Sequence, residues 1–282
     1  MAQYDIEALL EEVVTLPSMP TVVEHITHLL GDPNCSIGEV AKAVSSDPAI
    51  ALKTLRLVNS AYYGLGQEVT SVEHAVALLG IKVIKNLVLT ASVFDTINNT
   101  ADRFVRHCVS CGVAMRILAE HGPLAQRVSA ADEAFIFGLL HDIGKVILGE
   151  FLPDEYVEIQ RIAEEEGKPW YLAEHEVIGV DHGAVGASLA QKWKLSPSVI
   201  AAIGGHHDLG VCQDDTRMLA ATLTVGDYLC SASGFAAYPN AQFEVPDAVW
   251  NATGLNNKAL AKIANCFFDS LPNIEELVKL AA

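Results

Sequence analysis

Residues 138–145 read Gly138-Leu-Leu-His-Asp-Ile-Gly-Lys145, and this stretch decides how the rest of the chain is read. His141 and Asp142 stand side by side in an otherwise apolar helical pattern. Burying both is costly unless each has a partner, and a divalent cation supplies one for both. Lys145 follows His141 by four residues and Asp142 by three, so all three can share one side of a helix. An ammonium there is placed to meet a phosphate that the cation also holds.

Outward from this stretch the chain keeps helical periodicity, and strand alternation is nearly absent. Helices are expected near 102–121, 130–149, 154–166, 181–193, 196–204 and 214–232, and two short ones near 256–269 and 272–281. The first half opens with an amphipathic helix from about Tyr4 to Val14. Asp47-Pro48 reads as an N-cap followed by proline at the first helical position. Ser71 opens the next helix, and Gly80 breaks it from the one after. Asn98-Asn99-Thr100 is the one soft boundary of this half, which divides the chain into a helical N-terminal subdomain, 1–100, and a helical remainder, 101–282. Residues 234–254, rich in Gly, Pro and Asn, are expected to loop over the surface. The fold class is all-α, a multi-helix bundle with a helical N-terminal subdomain.

Composition narrows the function. Hydrophobic residues make up 51% of the 282 and aromatics only 7%, so the core is aliphatic, as helix-on-helix packing requires. A mean hydropathy of +0.29 excludes a disordered chain. With 18 basic against 35 acidic residues the net charge is −17, and the clustered Lys and Arg that neutralise phosphates are missing. Duplex nucleic acid and anionic membranes are therefore poor partners, although a local basic spot can hold one small phosphate. No long charge-free apolar run suggests a membrane span, and residues 1–15 carry acidic but no basic side chains, unlike a secretory signal. Six scattered cysteines include Cys108-x-x-Cys111 inside an expected helix with no second pair; buried free thiols and a cytoplasmic location are expected.

More candidates for metal ligation stand at helix-like positions: His107, His182, the pair His206-His207, and Asp227. Imidazole and carboxylate together suit a divalent Fe, Mn, Ni, Zn or Mg ion. With His141 and Asp142 they make more donors than one tetrahedral site uses, and they suit a two-metal site bridged by a carboxylate, the machinery of phosphoester hydrolysis. Each piece alone has a plainer reading. An adjacent histidine pair is close to chance in a chain with ten histidines. A lone His on an apolar face is more often a satisfied core residue, and Asp227 could cap or bond the backbone. The ordered set carries the weight.

That order resembles the H…HD…D pattern of the HD superfamily, extended by the extra histidines of its dinuclear branch. Leu16-Pro-Ser-Met-Pro20, the stretch from Asp47-Pro48 to Asn59-Ser60, and Ser71-Val-Glu-His-Ala-Val-Ala-Leu-Leu-Gly80 resemble the first half of HDOD domains; His175 to His207 resembles the second. The resemblance covers about Leu16 to Tyr228. It implies His107, His141, Asp142 and Asp227 as ligands of a first metal, and His182, His206 and His207 as ligands of a second. It also implies Asp142 as the bridge and Lys145 near the substrate phosphate, making Asp142 and Lys145 the catalytic residues. HDOD proteins are described as degenerate HD domains in signal output, often without demonstrated catalysis, whereas this chain keeps the ligands. His206-His-Asp-Leu-Gly-Val-Cys-Gln-Asp-Asp215 departs from the HHE…DG…GYP text of the cyclic-dinucleotide branch, which counts against cyclic di-GMP hydrolysis. Arg103 stands where a third metal would want a carboxylate, so one or two ions are expected.

Two functions follow. One is a stand-alone HDOD-type signal-transduction protein whose metal site hydrolyses a small phosphoester or nucleotide. The other is a non-catalytic regulatory module that works through a signalling protein partner, with a structural or sensing metal; metal sensing or oxygen chemistry at a diiron site is a variant of it. Asn59-Ser60 reads as a cap and turn, Glu164–Glu166 as a solvated helix end, and His25, His28, His74, His121 and His175 as outside the set.

Overall fold

Capping chemistry marks the helix starts. In the computed structural model, which describes residues 21–29, 32, 35–97, 101–124, 131–238 and 244–281, every regular element among the described residues is helical. The expected opening helix, Tyr4 to Val14, lies outside the described residues.

Two compact units emerge, one of residues 21–97 with 270–281 and one of residues 101–269. The first contains α1 (Thr21–Leu29), α2 (Ile37–Ser45), α3 (Pro48–Val58), α4 (Val72–Leu79) and α5 (Ile81–Ile97). Ser36 and Glu39 form a reciprocal capping box on α2. The Asp47 carboxylate accepts from the Ala49 and Ile50 amides at the start of α3, with Pro48 at the first position as expected. Ser71 caps α4, and Gly80, at φ 86°, turns the chain into α5. Asn59 is a clamp: its amide donates to Val69 O and accepts from Val69 N, both at 2.8 Å, closing the loop after α3.

The last helix, Leu271–Ala281, belongs to this unit, which corrects the assignment of 101–282 to a single subdomain. The reason is local. Its apolar face buries Ile274, Leu277 and Ala281 against α3 and α5, and Glu276 accepts from the Ala61 amide at 3.2 Å.

The second unit is built around α6 (Asp102–His121), buried along most of its length. It packs on α7 (Ala131–Leu140) and on α13 (Asp214–Cys230). Between them in sequence come α8 (Ile143–Phe151), α9 (Pro153–Glu165), α10 (Trp170–Ile178), α11 (His182–Lys192) and α12 (Pro197–Gly205). α8 packs on α11, α11 on α12, and α12 on α13. A five-residue π-turn, Ser231–Phe235, closes α13, and α14 (Asp247–Thr253) and α15 (Asn257–Asp269) follow. Two sequence expectations change here. α10 was unassigned, and α14 lies inside the segment expected to loop, started by Pro246 and ended by Gly254 at φ 63°.

Candidate metal centre

The expected helix over 130–149 is two helices, α7 and α8, broken at His141-Asp142. The break has a packing cause. Gly138 lies against α6 so closely that a Cβ there would stand 2.3 Å from Cys111 O, and Gly144 lies against α11 with a Cβ position 2.0 Å from His182 O. The turn between them lets each half cross its own neighbour, and it aims His141 and Asp142 into the space enclosed.

That space receives all seven expected ligands. His107 comes from α6, His141 and Asp142 from the turn, His182 from the first position of α11, His206 and His207 from the end of α12, and Asp227 from α13. His107, His141, Asp142, His182, His206 and Asp227 are buried, and His207 is half-buried. Three sets of donor atoms lie within 4.8 Å of one another: His107, His141 and Asp227; His141, Asp142 and His206; and His182, His206 and His207. The sets share His141 and His206, so they form one continuous cluster.

The orientation of the rings is the informative feature. His107 Nδ1 pairs with Phe235 O at 2.7 Å, His141 Nδ1 with Gly138 O at 2.7 Å, and His206 Nδ1 with Ile203 O at 2.6 Å. His182 Nδ1 pairs with Glu174 Oε2 at 2.6 Å. Acceptors at all four Nδ1 atoms hold a proton there, so each Nε2 is left facing inward. Those inward nitrogens crowd: His107 and His141 Nε2 are 3.2 Å apart, and His182 and His207 Nε2 are 2.8 Å apart. Two lone pairs at such distances repel unless a proton or cation stands with them.

The carboxylates complete the pattern. Asp142 Oδ1 is 3.1 Å from His182 Nε2 and 3.4 Å from His141 Nε2; Asp227 Oδ1 is 3.4 Å from His107 Nε2. Asp142 Oδ1 and His206 Nε2 are buried with no hydrogen-bond partner. Orphaned buried acceptors of this kind mark a place for a cation, so the donor set fits a divalent ion. Lys145 Nζ holds Asp142 Oδ2 at 2.8 Å.

Charge states follow from these contacts. Burial, helped by the cationic form of neighbouring histidines, pushes the His141 and His206 imidazoles down to about 3, so both are neutral over the physiological range. Burial also acts on His182, but the Glu174 carboxylate outweighs it and raises that ring to about 9. Burial opposes ionisation of Asp142, yet His141 and Lys145 hold its carboxyl well below the usual range.

A cavity of about 940 Å³ opens onto the cluster. His107, His182, His206, His207, Asp227 and Lys145 line the side that meets the cluster. Its walls carry Trp170, Tyr171, Tyr238 and Arg217. Trp170 stacks on Tyr238 at 3.9 Å, Tyr171 stacks on His207 at 4.5 Å, and the Tyr156 and Tyr238 hydroxyls bond each other.

Residues 16–209 match the HDOD domain. The chain belongs to the HDOD family. An uncharacterized protein of Treponema pallidum (strain Nichols) is 25% identical over 219 residues, which are 77% of this chain and 42% of that one. The HDOD chain thus spans well under half of that relative. Among solved structures, an HDOD domain protein of unknown function from Geobacter sulfurreducens superposes with a TM-score of 0.79 at 21% identity, covering 98% of this chain and 97% of the other. A candidate phosphohydrolase from Shewanella amazonensis SB2B gives 0.76 at 23% identity, with 98% of each chain covered. At these identities the likeness shows the fold.

The remaining histidines of this HDOD chain stay apart. His25, His28, His74 and His121 are exposed, and His175 is half-exposed, 3.2 Å from Asp181. Arg103 is exposed as well. Cys108 and Cys111 are buried free thiols, and no helix among the described residues is long and apolar enough to cross a membrane.

Sequence reasoning missed Glu174 and the aromatic wall. The cue for Glu174 was present: Trp170, Ala173, Glu174 and Ile178 are the buried residues of α10, a helical stripe with one carboxylate in it. A carboxylate inside an apolar stripe calls for a buried partner. The wall gave no such cue, because Tyr238 meets Trp170 across 68 residues of chain.

Proposed function

We propose that this HDOD protein is a metal-dependent phosphohydrolase of a small phosphoester or nucleotide, acting in signal transduction. One observation carries the reading: four buried histidines bond fixed acceptors through Nδ1 and turn Nε2 inward beside Asp142 and Asp227, and His107, His182, His206 and Asp227 line an open cavity. A purely structural cluster would spend those nitrogens on hydrogen bonds. In this reading His107, His141, Asp142 and Asp227 hold one divalent ion, and His182, His206 and His207 hold a second with Asp142 shared. Such ions supply Lewis acidity toward a phosphoryl oxygen. Asp142 fixes the spacing of the pair, Lys145 holds Asp142 and lies at the cavity to meet a phosphate, and the Tyr171 and Trp170 faces suit a planar group.

The test is metal analysis of the purified protein, followed by hydrolysis of generic phosphoesters with Mn²⁺ or Fe²⁺. Retained metal and weak turnover, with little on cyclic di-GMP, are expected, and Asp142→Ala should remove both. An Asp142→Ala protein as active as the parent places the activity elsewhere and ends the enzyme reading.

A second reading is favoured by the Lys145–Asp142 contact, which neutralises the bridging carboxylate without any metal. A regulatory module that works through a protein partner needs only that. Metal retention without turnover on any phosphoester supports it.

A further inference from the structure

Glu174 is buried with no accessible surface, yet it belongs to none of the donor sets around the centre. A buried carboxylate carries a desolvation penalty that only close partners offset. Its partners are both on one residue. Glu174 Oε2 accepts from the His182 backbone amide at 2.8 Å and faces His182 Nδ1 at 2.6 Å. His182 is the first residue of α11, where the amide has no carbonyl a turn earlier to bond. Asp181 caps the same helix through the Ala184 amide, leaving the His182 amide to Glu174. One oxygen therefore fixes the helix start and the imidazole together.

We infer that Glu174 is the positioning residue of the second metal, a deepening that rests on the two-ion reading above. Three of the other four clustered rings, His107, His141 and His206, are oriented by neutral backbone carbonyls, at Phe235, Gly138 and Ile203. His182 alone is oriented by a carboxylate. An anion at Nδ1 makes Nε2 a stronger donor than a carbonyl does, and it keeps the proton on Nδ1 while Nε2 faces Asp142 and His207. Glu174 Oε1 is buried and makes no hydrogen bond, so the second oxygen contributes charge rather than another contact. The asymmetry assigns the two ions different dependence on outer partners: the ion at His182, His206 and His207 depends on Glu174, and the ion at His107, His141 and Asp227 does not.

The experiment titrates the full chain with Mn²⁺, comparing the parent with Glu174→Gln, which keeps an oxygen acceptor and loses the charge. The parent should take two ions and show an exchange-coupled electron paramagnetic resonance spectrum. The variant should take the first ion as the parent does and the second about 10–100-fold more weakly, with an uncoupled six-line spectrum at one equivalent. An unchanged metal-free melting temperature separates positioning from a general loss of structure. A variant that binds both ions with parental affinity overturns the role of Glu174 and leaves the metal reading intact. A parent that takes no ion overturns both. Nitrogen-15 resonances of His182 in the Zn²⁺-loaded parent give a measurement that needs no variant: a protonated Nδ1 supports the assignment, and a metal-bound Nδ1 overturns it.

Discussion

Gly144→Ala probes the packing on which the centre is built. A Cβ on Gly144 would stand 2.0 Å from His182 O, 2.8 Å from His182 C and 2.9 Å from Gly186 N, where ordinary van der Waals contact begins at 3.4 Å. All three are backbone atoms, so no side chain can swing aside, and α8 and α11 must separate by more than 1 Å at the crossing. Overpacking of this kind costs about 1–3 kcal/mol. At roughly 2–4 °C per kcal/mol for a domain of this size, the melting temperature should fall by several degrees. The displaced residue is His182 itself, whose Nε2 lies 3.1 Å from Asp142 Oδ1. Metal–ligand distances tolerate only about 0.2 Å, so the ion nearest His182 should be lost as well. The control lies on the same helix. A Cβ on Gly149 meets only the Tyr156 ring, at 3.6 Å, and Gly149→Ala should be neutral or stabilising by up to about 1 kcal/mol. Differential scanning calorimetry with metal analysis reads both variants. If Gly144→Ala melts and binds metal as Gly149→Ala does, the close crossing does not hold the site.

Three further outcomes are expected. Lys145→Met takes the ammonium away from the buried Asp142 carboxylate and should destabilise the metal-free protein by about 3 kcal/mol, but less with Mn²⁺ present; an equal loss in both states speaks against a cation at Asp142. In the metal-free protein burial lowers the His182 imidazole, but Glu174 outweighs it and holds the ring up to about 9, so it is protonated at pH 7 and an ion must displace that proton. Affinity should therefore climb from pH 7 to 9 and level off above, and a flat calorimetric titration across that window refutes the reasoning. Asn59→Ala removes two 2.8 Å hydrogen bonds to Val69 and should cost about 1–2 kcal/mol in urea denaturation with no change in metal content.

How much of this was legible depends on whether the signal is local. Asp47 with Pro48, and Ser71, announce helix starts because a cap bonds an amide two or three residues away. The residues of the buried cluster were legible for a related reason, since polar residues on apolar helical faces stand out against their own neighbours. The break at His141-Asp142 was not. It depends on Gly138 meeting Cys111 and Gly144 meeting His182, contacts across 27 and 38 residues that no periodicity encodes. The last helix has the same difficulty: its apolar stripe says that it packs, while the Glu276 contact with Ala61, 215 residues away, says where.

The glycines of residues 138–145 therefore belong to the metal centre as much as the histidine and aspartate do. Neither touches an ion in the proposed arrangement, yet each permits a helix crossing that any Cβ would block, one on either side of the turn. This also explains why the site can be rigid while made of long-range parts. His107, His182, His206 and Asp227 arrive on four helices, but α6, α8, α11, α12 and α13 are locked by backbone approaches and by ring nitrogens bonded to fixed acceptors. A centre held in that way can keep its geometry whether it turns over a phosphoester or only reports on a bound ion. The packing therefore accounts for ligand placement under both functional readings, and the choice between them falls on what enters the cavity beside Lys145.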